Sequence, residues 1–122
     1  LERLVGGFGE RSGVDAHFES RLEEGDRLTP AIETALYRIA QESLNNVAKH
    51  SSASGVTVTL EHRGANARLT VSDDGRGFVP GQVREDRLGL AGMRERVALL
   101  DGRLSVVAAP GAGTTVIADI PL

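Results

Sequence analysis

The chain has no cysteine, so neither a disulfide framework nor a thiolate metal site can form, which fits a reducing compartment and makes the cytoplasm the expected location. It has no basic block either. Its 14 Lys and Arg stand against 17 Asp and Glu, a formal net charge of −3, so the electrostatic footprint of a nucleic-acid binder is missing. No apolar run approaches the ~20 residues that span a bilayer, and the opening Leu1 to Phe8 reads as neither a signal nor a transit peptide, so no direct membrane insertion is expected. Internal repeats and low-complexity tracts are absent too. What remains is globular: 122 residues with 40% hydrophobic and 25% charged side chains, enough for one domain with a real core.

The first residue is not methionine, and Leu1, Leu4, Val5 and Phe8 already keep helical spacing. A fragment of a longer protein is expected, with residues 1–12 as a helix leading in. Val14, Ala16 and Phe18 then alternate with Asp15, His17 and Glu19, predicting a strand from Gly13 to about Glu23 with His17 on its polar face. Thr29-Pro30 is a helix start, a capping hydroxyl before proline at the first helical position, and the helix should run to about Lys49. Its core stripe is Ile32, Leu36, Ile39, Ala40, Ser43 and Val47. Val56, Val58 and Leu60 define a strand that turns at Gly64-Ala65-Asn66 into Leu69 to Asp73, an antiparallel hairpin. Residues 78–88 lack a clear period and read as a mobile loop. Leu90, Met93, Val97 and Leu100 mark a last helix, closed by Asp101-Gly102 with glycine as the left-handed cap. Leu104 to Ala108 and Thr114 to Ile120 close the sheet. The order predicts an α+β domain, with helices on one face of a mixed, mostly antiparallel sheet of about five strands.

Three segments stand out chemically. In Leu69 to Phe78, Leu69, Val71 and Asp73 share one side of a strand, so a carboxylate continues a core-facing row just before Gly75 and Gly77. Either Asp73 lines a cavity that the glycines let a ligand approach, or Asp-Asp-Gly is an ordinary turn. Glu42, Asn46 and His50, four apart, border the core stripe. They form either a solvated face or, through Glu42 and Asn46, an oxygen pair for Mg²⁺ or its waters, and Asn45-Asn46 opposes helix propensity at that point. Gly89-Leu90-Ala91-Gly92 offers a helix N-terminus to phosphate, or simply lets another element pack closely. Together these suit a purine nucleotide with Mg²⁺, and ATP is the simplest candidate.

Arg38 to Val47, followed by Lys49-His50, resembles the N box of sensor histidine kinases of the nitrate-sensor and desaturase-sensor subclass. Asp73-Asp74-Gly75-Arg76-Gly77-Phe78 is similar to their G1 box, Gly89 to Val97 to their G2 box, and Gly111-Ala112-Gly113-Thr114-Thr115 to their last glycine box. Order and spacing match over nearly the whole chain. The resemblance implies the Bergerat fold, a two-layer α/β sandwich shared with gyrase-type ATPases, and an ATP-binding catalytic domain of a protein-histidine kinase. By it, Asp73 would accept from the adenine amino group, Gly75 and Gly77 would shape the adenine side, and Thr114 would lie near the base. Asn46 would hold Mg²⁺, Glu42 would position the metal's water or polarise a reactant, and Gly89, Leu90 and Gly92 would meet the phosphates. Residues 78–88 would be the ATP lid.

The family's second glycine box usually begins Gly-x-Gly-Leu, whereas here Arg87 replaces the first glycine, which bears on lid hinging and phosphate contact. The lid is short and has no phenylalanine-rich box. None of His17, His50 or His62 has the surroundings of a phosphoacceptor, so the resemblance implies a separate dimerisation domain carrying that histidine, and a response regulator downstream. The isolated domain would be monomeric and its parent a homodimer. A GHKL-type ATPase, an anti-sigma serine kinase and a degenerate interaction domain are the alternatives.

Overall fold

In the computed structural model, which describes residues 1–23, 25–77 and 89–122, the chain begins with helix α1 (Glu2–Ser12), strand β1 (Asp15–Arg21) and helix α2 (Pro30–Asn46). A single π-helical turn (Val47–Ser51) extends α2, and the hairpin β2 (Gly55–Arg63) and β3 (Asn66–Asp73) follows. Helix α3 (Leu90–Ala98) and a second hairpin, β4 (Arg103–Ala108) and β5 (Thr114–Pro121), complete the order. The strands lie side by side as β1-β2-β3-β5-β4 in one five-stranded sheet. Only β1 and β2 pair in parallel among these strands. A parallel pair needs a long crossover where an antiparallel one needs only a turn, and α2 is that crossover.

Strand alternation decides which face the helices cover. Phe18, Val58, Val71, Val116 and Val106 stand abreast across all five strands, and all belong to the apolar core or pack against it. Ile32, Leu36, Ile39, Ala40, Ser43 and Val47 of the expected stripe are all buried above the sheet. Val5 and Phe8 of α1 and Leu90, Met93 and Val97 of α3 complete the layer. Each large aliphatic group removed from water contributes roughly 1.5–3 kcal/mol. The opposite face is polar: there Arg68 of β3 grips Asp119 of β5 through two hydrogen bonds, at 2.7 and 3.1 Å. The hydrogen bond to Asp119 holds the Arg68 guanidinium above its ordinary pKa.

Three local expectations change. The α-helical winding stops at Asn46 rather than near Lys49, and the chain continues with the wider π turn to Ser51, after which Ser52 is left-handed (φ 51°). The left-handed residue after α3 is Asp101 (φ 60°), not Gly102, an adaptation open to aspartate because its short polar side chain tolerates that region. Gly102 serves close approach instead, since a Cβ there would collide with the Asp119 carbonyl and come within 2.7 Å of Val97 Cγ1. The first strand occupies only Asp15–Arg21 of the stretch from Gly13 to Glu23. The loop expected at 78–88, with Arg87, lies outside the described residues.

Candidate functional site

One rung beyond the hydrophobic row, the register places Ala16, Val56, Asp73, Thr114 and Ala108 abreast. The sheet's apolar surface therefore ends in a neighbouring carboxylate and hydroxyl, both half-buried. Asp73 Oδ1 accepts the Gly75 N–H at 2.8 Å, a short-range turn that swings the chain away from the strand.

A cleft opens over this rung. Val71, Asp73, Thr114, Val116 and Val106 of the sheet form its floor, Ser43, Asn46, Val47 and His50 of α2 and its π turn form one wall, and Gly77 and Leu90 close the rim. The structure thus brings together Asn46, Asp73, Gly77, Leu90 and Thr114 of the residues singled out by sequence. Gly75 is buried beside them. Glu42, Gly89 and Gly92 line a neighbouring cleft with Arg38, Gln41, Met93 and Arg96. Glu42 packs so closely on Gly89 that a Cβ there would strike its carboxylate. The start of α3 thus touches Glu42 at Gly89 and lines the cleft holding Asn46 at Leu90, and it is anchored to α2 where Ser43 Oγ donates to Met93 Sδ at 3.7 Å.

Two glycines hold the rim by necessity. Gly77 (φ 63°) is wedged so that a Cβ would strike the Ala109 carbonyl and come within 2.8 Å of the Gly113 carbonyl, and a Cβ on Gly113 (φ 78°) would strike the Asp73 carbonyl. Both need the left-handed region that L-residues pay to enter.

Asp74, passed over in the sequence, has the more conspicuous local role. Its carboxylate accepts the Ser54 and Gly55 N–H groups, each at 2.9 Å, and the Ser54 hydroxyl at 3.3 Å. The Gly55 N–H above all, with Ser54 adding to it, holds its pKa below the ordinary carboxylate value against the opposing effect of desolvation. Asp74 locks the end of β3 to the start of β2, which fixes where Asp73 points. The signal was there in Asp73-Asp74-Gly75, where an acid at a strand end faces free backbone donors. Gly113 was quoted only as part of a glycine box, and its contact with Asp73 required the β3–β5 register. His62, exposed, is also partnered: its Nδ1 lies 2.9 Å from Asp26 Oδ1.

Sheet order, cleft and glycine turns define an ATPase-type α/β domain. The model of the histidine kinase-, DNA gyrase B-, and HSP90-like ATPase family matches residues 31–122, and the chain belongs to that family. It is 37% identical over 122 residues to the signal transduction histidine-protein kinase/phosphatase DegS of Brevibacillus brevis, covering 100% of this chain and 31% of that protein. It is 34% identical over 122 residues to the sensor histidine kinase LiaS of Bacillus subtilis (strain 168), covering 100% of this chain and 33% of LiaS. The chain therefore spans about a third of the length of the curated relatives it matches. Among solved structures, the histidine kinase domain from Erythrobacter litoralis EL346 blue-light activated histidine kinase superposes with a TM-score of 0.78 at 25% identity, over 98% of this chain and 58% of that one. The expected family and fold are borne out. No described helix is long and apolar enough to cross a membrane.

Proposed function

We propose that this domain binds Mg-ATP in the cleft and donates the γ-phosphate to a histidine on a separate dimerisation domain, as the catalytic part of a cytoplasmic two-component sensor kinase. The observation that carries the reading is the rung where Asp73 and Thr114 stand side by side at the edge of an apolar floor, facing Asn46 and His50 across one cleft. Val71, Val106 and Val116 offer apolar surface to a purine ring. Asp73 supplies an acceptor for its exocyclic amine, and Thr114 a hydroxyl beside it. Gly75 and Gly77 keep the adenine side free of side chains, while Gly89, Leu90 and Gly92 open α3 with backbone donors for phosphate oxygens.

The donor set fits Mg²⁺ in the manner usual for nucleotides. Among the described residues no group of three or more His, Cys, Asp or Glu is assembled that could cage a metal, and a nucleotide-bound Mg²⁺ takes most of its oxygens from phosphates and water. Asn46 is the residue to hold it, with Glu42 reaching the same metal's water or the reactant from beyond Gly89. When bound, Mg²⁺ neutralises charge on the phosphoryl oxygens. The protein's part is positioning: the floor orients the base, and the helix start receives the phosphates. Residues 1–12 would lead in from the dimerisation domain, and a response regulator would act downstream.

Calorimetric titration with a non-hydrolysable ATP analogue and Mg²⁺ tests the binding step. Saturable binding is expected, and no heat at millimolar nucleotide would overturn both kinase and ATPase readings in favour of an interaction domain. Supplying the dimerisation domain with labelled ATP tests the transfer. Acid-labile, base-stable label on that domain is expected, whereas phosphate release into solution alone would identify an ATPase.

A further inference from the structure

Arg76 sits between Gly75 and Gly77 in sequence. Its Nε donates to the His50 carbonyl at 2.8 Å, and its own carbonyl accepts the Gly111 N–H at 2.6 Å. A single residue thus joins the π turn at the end of α2 to the turn between β4 and β5. The π turn carries His50 and follows directly on Asn46, which together form one wall of the cleft. The β4–β5 turn buttresses Gly77 and leads into Thr114 on the other side. The last carbonyls of a helix have no partner further along it. Here the chain leaves the π turn through a left-handed Ser52, and the guanidinium meets one such carbonyl.

We propose that Arg76 is a positioning residue. Its Nε–H draws the π turn against the loop after β3 and so fixes the separation of the two walls that receive the nucleotide. The proposal rests on the nucleotide reading of the cleft. Arg76 is exposed, so its bond adds little to global stability, and its effect falls on the geometry of the mouth.

Three variants separate the hydrogen bond from the charge. Glutamine carries an N–H donor at the same place along the side chain as arginine's Nε, without charge; lysine keeps the charge but moves the donor outward; alanine removes both. Each is titrated with the Mg-bound ATP analogue and with ADP, and amide exchange across residues 47–54 is followed in the free protein. Arg76→Ala and Arg76→Lys are expected to weaken both nucleotides alike, by roughly three- to tenfold, the worth of one hydrogen bond, with faster exchange in the turn. Arg76→Gln should stay near wild type in both measurements. The proposal is overturned if Arg76→Lys retains affinity while Arg76→Gln loses it, or if the loss grows with the number of phosphates, since either identifies direct charge contact. Unchanged affinity and exchange in Arg76→Ala also overturn it. If the wild-type domain binds neither nucleotide, the functional reading fails separately, and exchange alone still decides whether Arg76 holds the turn.

Discussion

Replacing Asp73 by asparagine should weaken adenine-nucleotide binding by roughly 10- to 150-fold while leaving the fold close to wild type. The substitution is nearly isosteric, and the asparagine oxygen can still accept the Gly75 N–H that Asp73 Oδ1 accepts at 2.8 Å, so the turn after β3 survives. What changes is the second polar atom, which becomes an NH₂ donor aimed at a ligand amine that also donates. A hydrogen bond to a charged group contributes about 1.5–3 kcal/mol, and a half-buried rung between Val56 and Thr114 screens it less than open water would. Calorimetry with the ATP analogue measures the loss, and competition by inorganic tripolyphosphate, which has no base, should be unaffected. Asp74→Asn is the control, because that carboxylate meets the backbone of Ser54 and Gly55 and does not line the cleft. Its asparagine oxygen can still accept the two N–H groups that Asp74 Oδ1 accepts, so the end of β3 keeps its place; the melting temperature should fall and the affinity of the folded domain stay unchanged. Unaltered ATP affinity in Asp73→Asn, or an equal loss for tripolyphosphate, would refute the adenine contact.

Asp74 also predicts an acid limb. Its folded pKa lies below the ordinary value because backbone N–H groups, Gly55's foremost, favour the charged form. The unfolded chain therefore takes up the proton first, and the stabilisation, full above the ordinary carboxylate range, drains as pH falls through the lowered value. Melting temperature against pH should fall more steeply below about pH 4, the ordinary aspartate value, in wild type than in Asp74→Asn, and parallel curves would count against it. Gly77→Ala and Gly113→Ala should each cost at least about 2 kcal/mol in urea unfolding, since both pair a left-handed backbone with a carbonyl in the way of the new methyl; a loss below about 0.5 kcal/mol would contradict the wedge. Glu42 and Asn46 line different clefts, so their substitutions should diverge. Asn46→Ala should abolish most of the Mg²⁺ dependence of nucleotide affinity, whereas Glu42→Gln should leave affinity within about twofold and slow phosphotransfer at least tenfold, roughly 1.4 kcal/mol. Equal losses of Mg-nucleotide affinity would instead make both of them direct ligands of the metal.

Much of this molecule was legible because its periods are clean. Val56, Val58 and Leu60 alternate, Ile32 to Val47 repeat at three and four, and the Thr29 cap reads directly as the Ile32 N–H bond at 3.3 Å. The reading of Asp73 as a carboxylate on a core-facing row needed only the period of a strand, and the register confirms that row. Contacts that depend on where two distant segments meet were not legible. Spacing alone put Glu42 and Asn46 on one helix face, but which cleft each lines is decided by where α3 begins: Gly89 lies against Glu42, and Leu90 lines the cleft that holds Asn46. The end of α2 was misjudged for a related reason. Nothing in Val47 to Ser51 forbids ordinary helix, and the π winding goes with tertiary bonds at its far end, where Arg76 meets the His50 carbonyl and Asp74 receives Ser54 and Gly55.

Those tertiary bonds also explain why the polar rung is held without a large buried network. Asp73 needs a defined direction, yet a strand's last residue is where backbone freedom returns. Asp74 removes that freedom from one side by tying the chain to the start of β2, and the Asp74 N–H adds a bond to the Gly55 carbonyl at 3.2 Å. Gly113 removes it from the other side by lying against the Asp73 carbonyl. The cleft is thus assembled from ordinary turn chemistry at the ends of four elements, α2, β3, β4 and β5, and each turn residue is replaceable only at the expense of the next. A sheet whose hydrophobic rows continued one rung further would bury its end against α2. Here the row stops at Asp73 and Thr114, and a cleft opens where the helix would have packed.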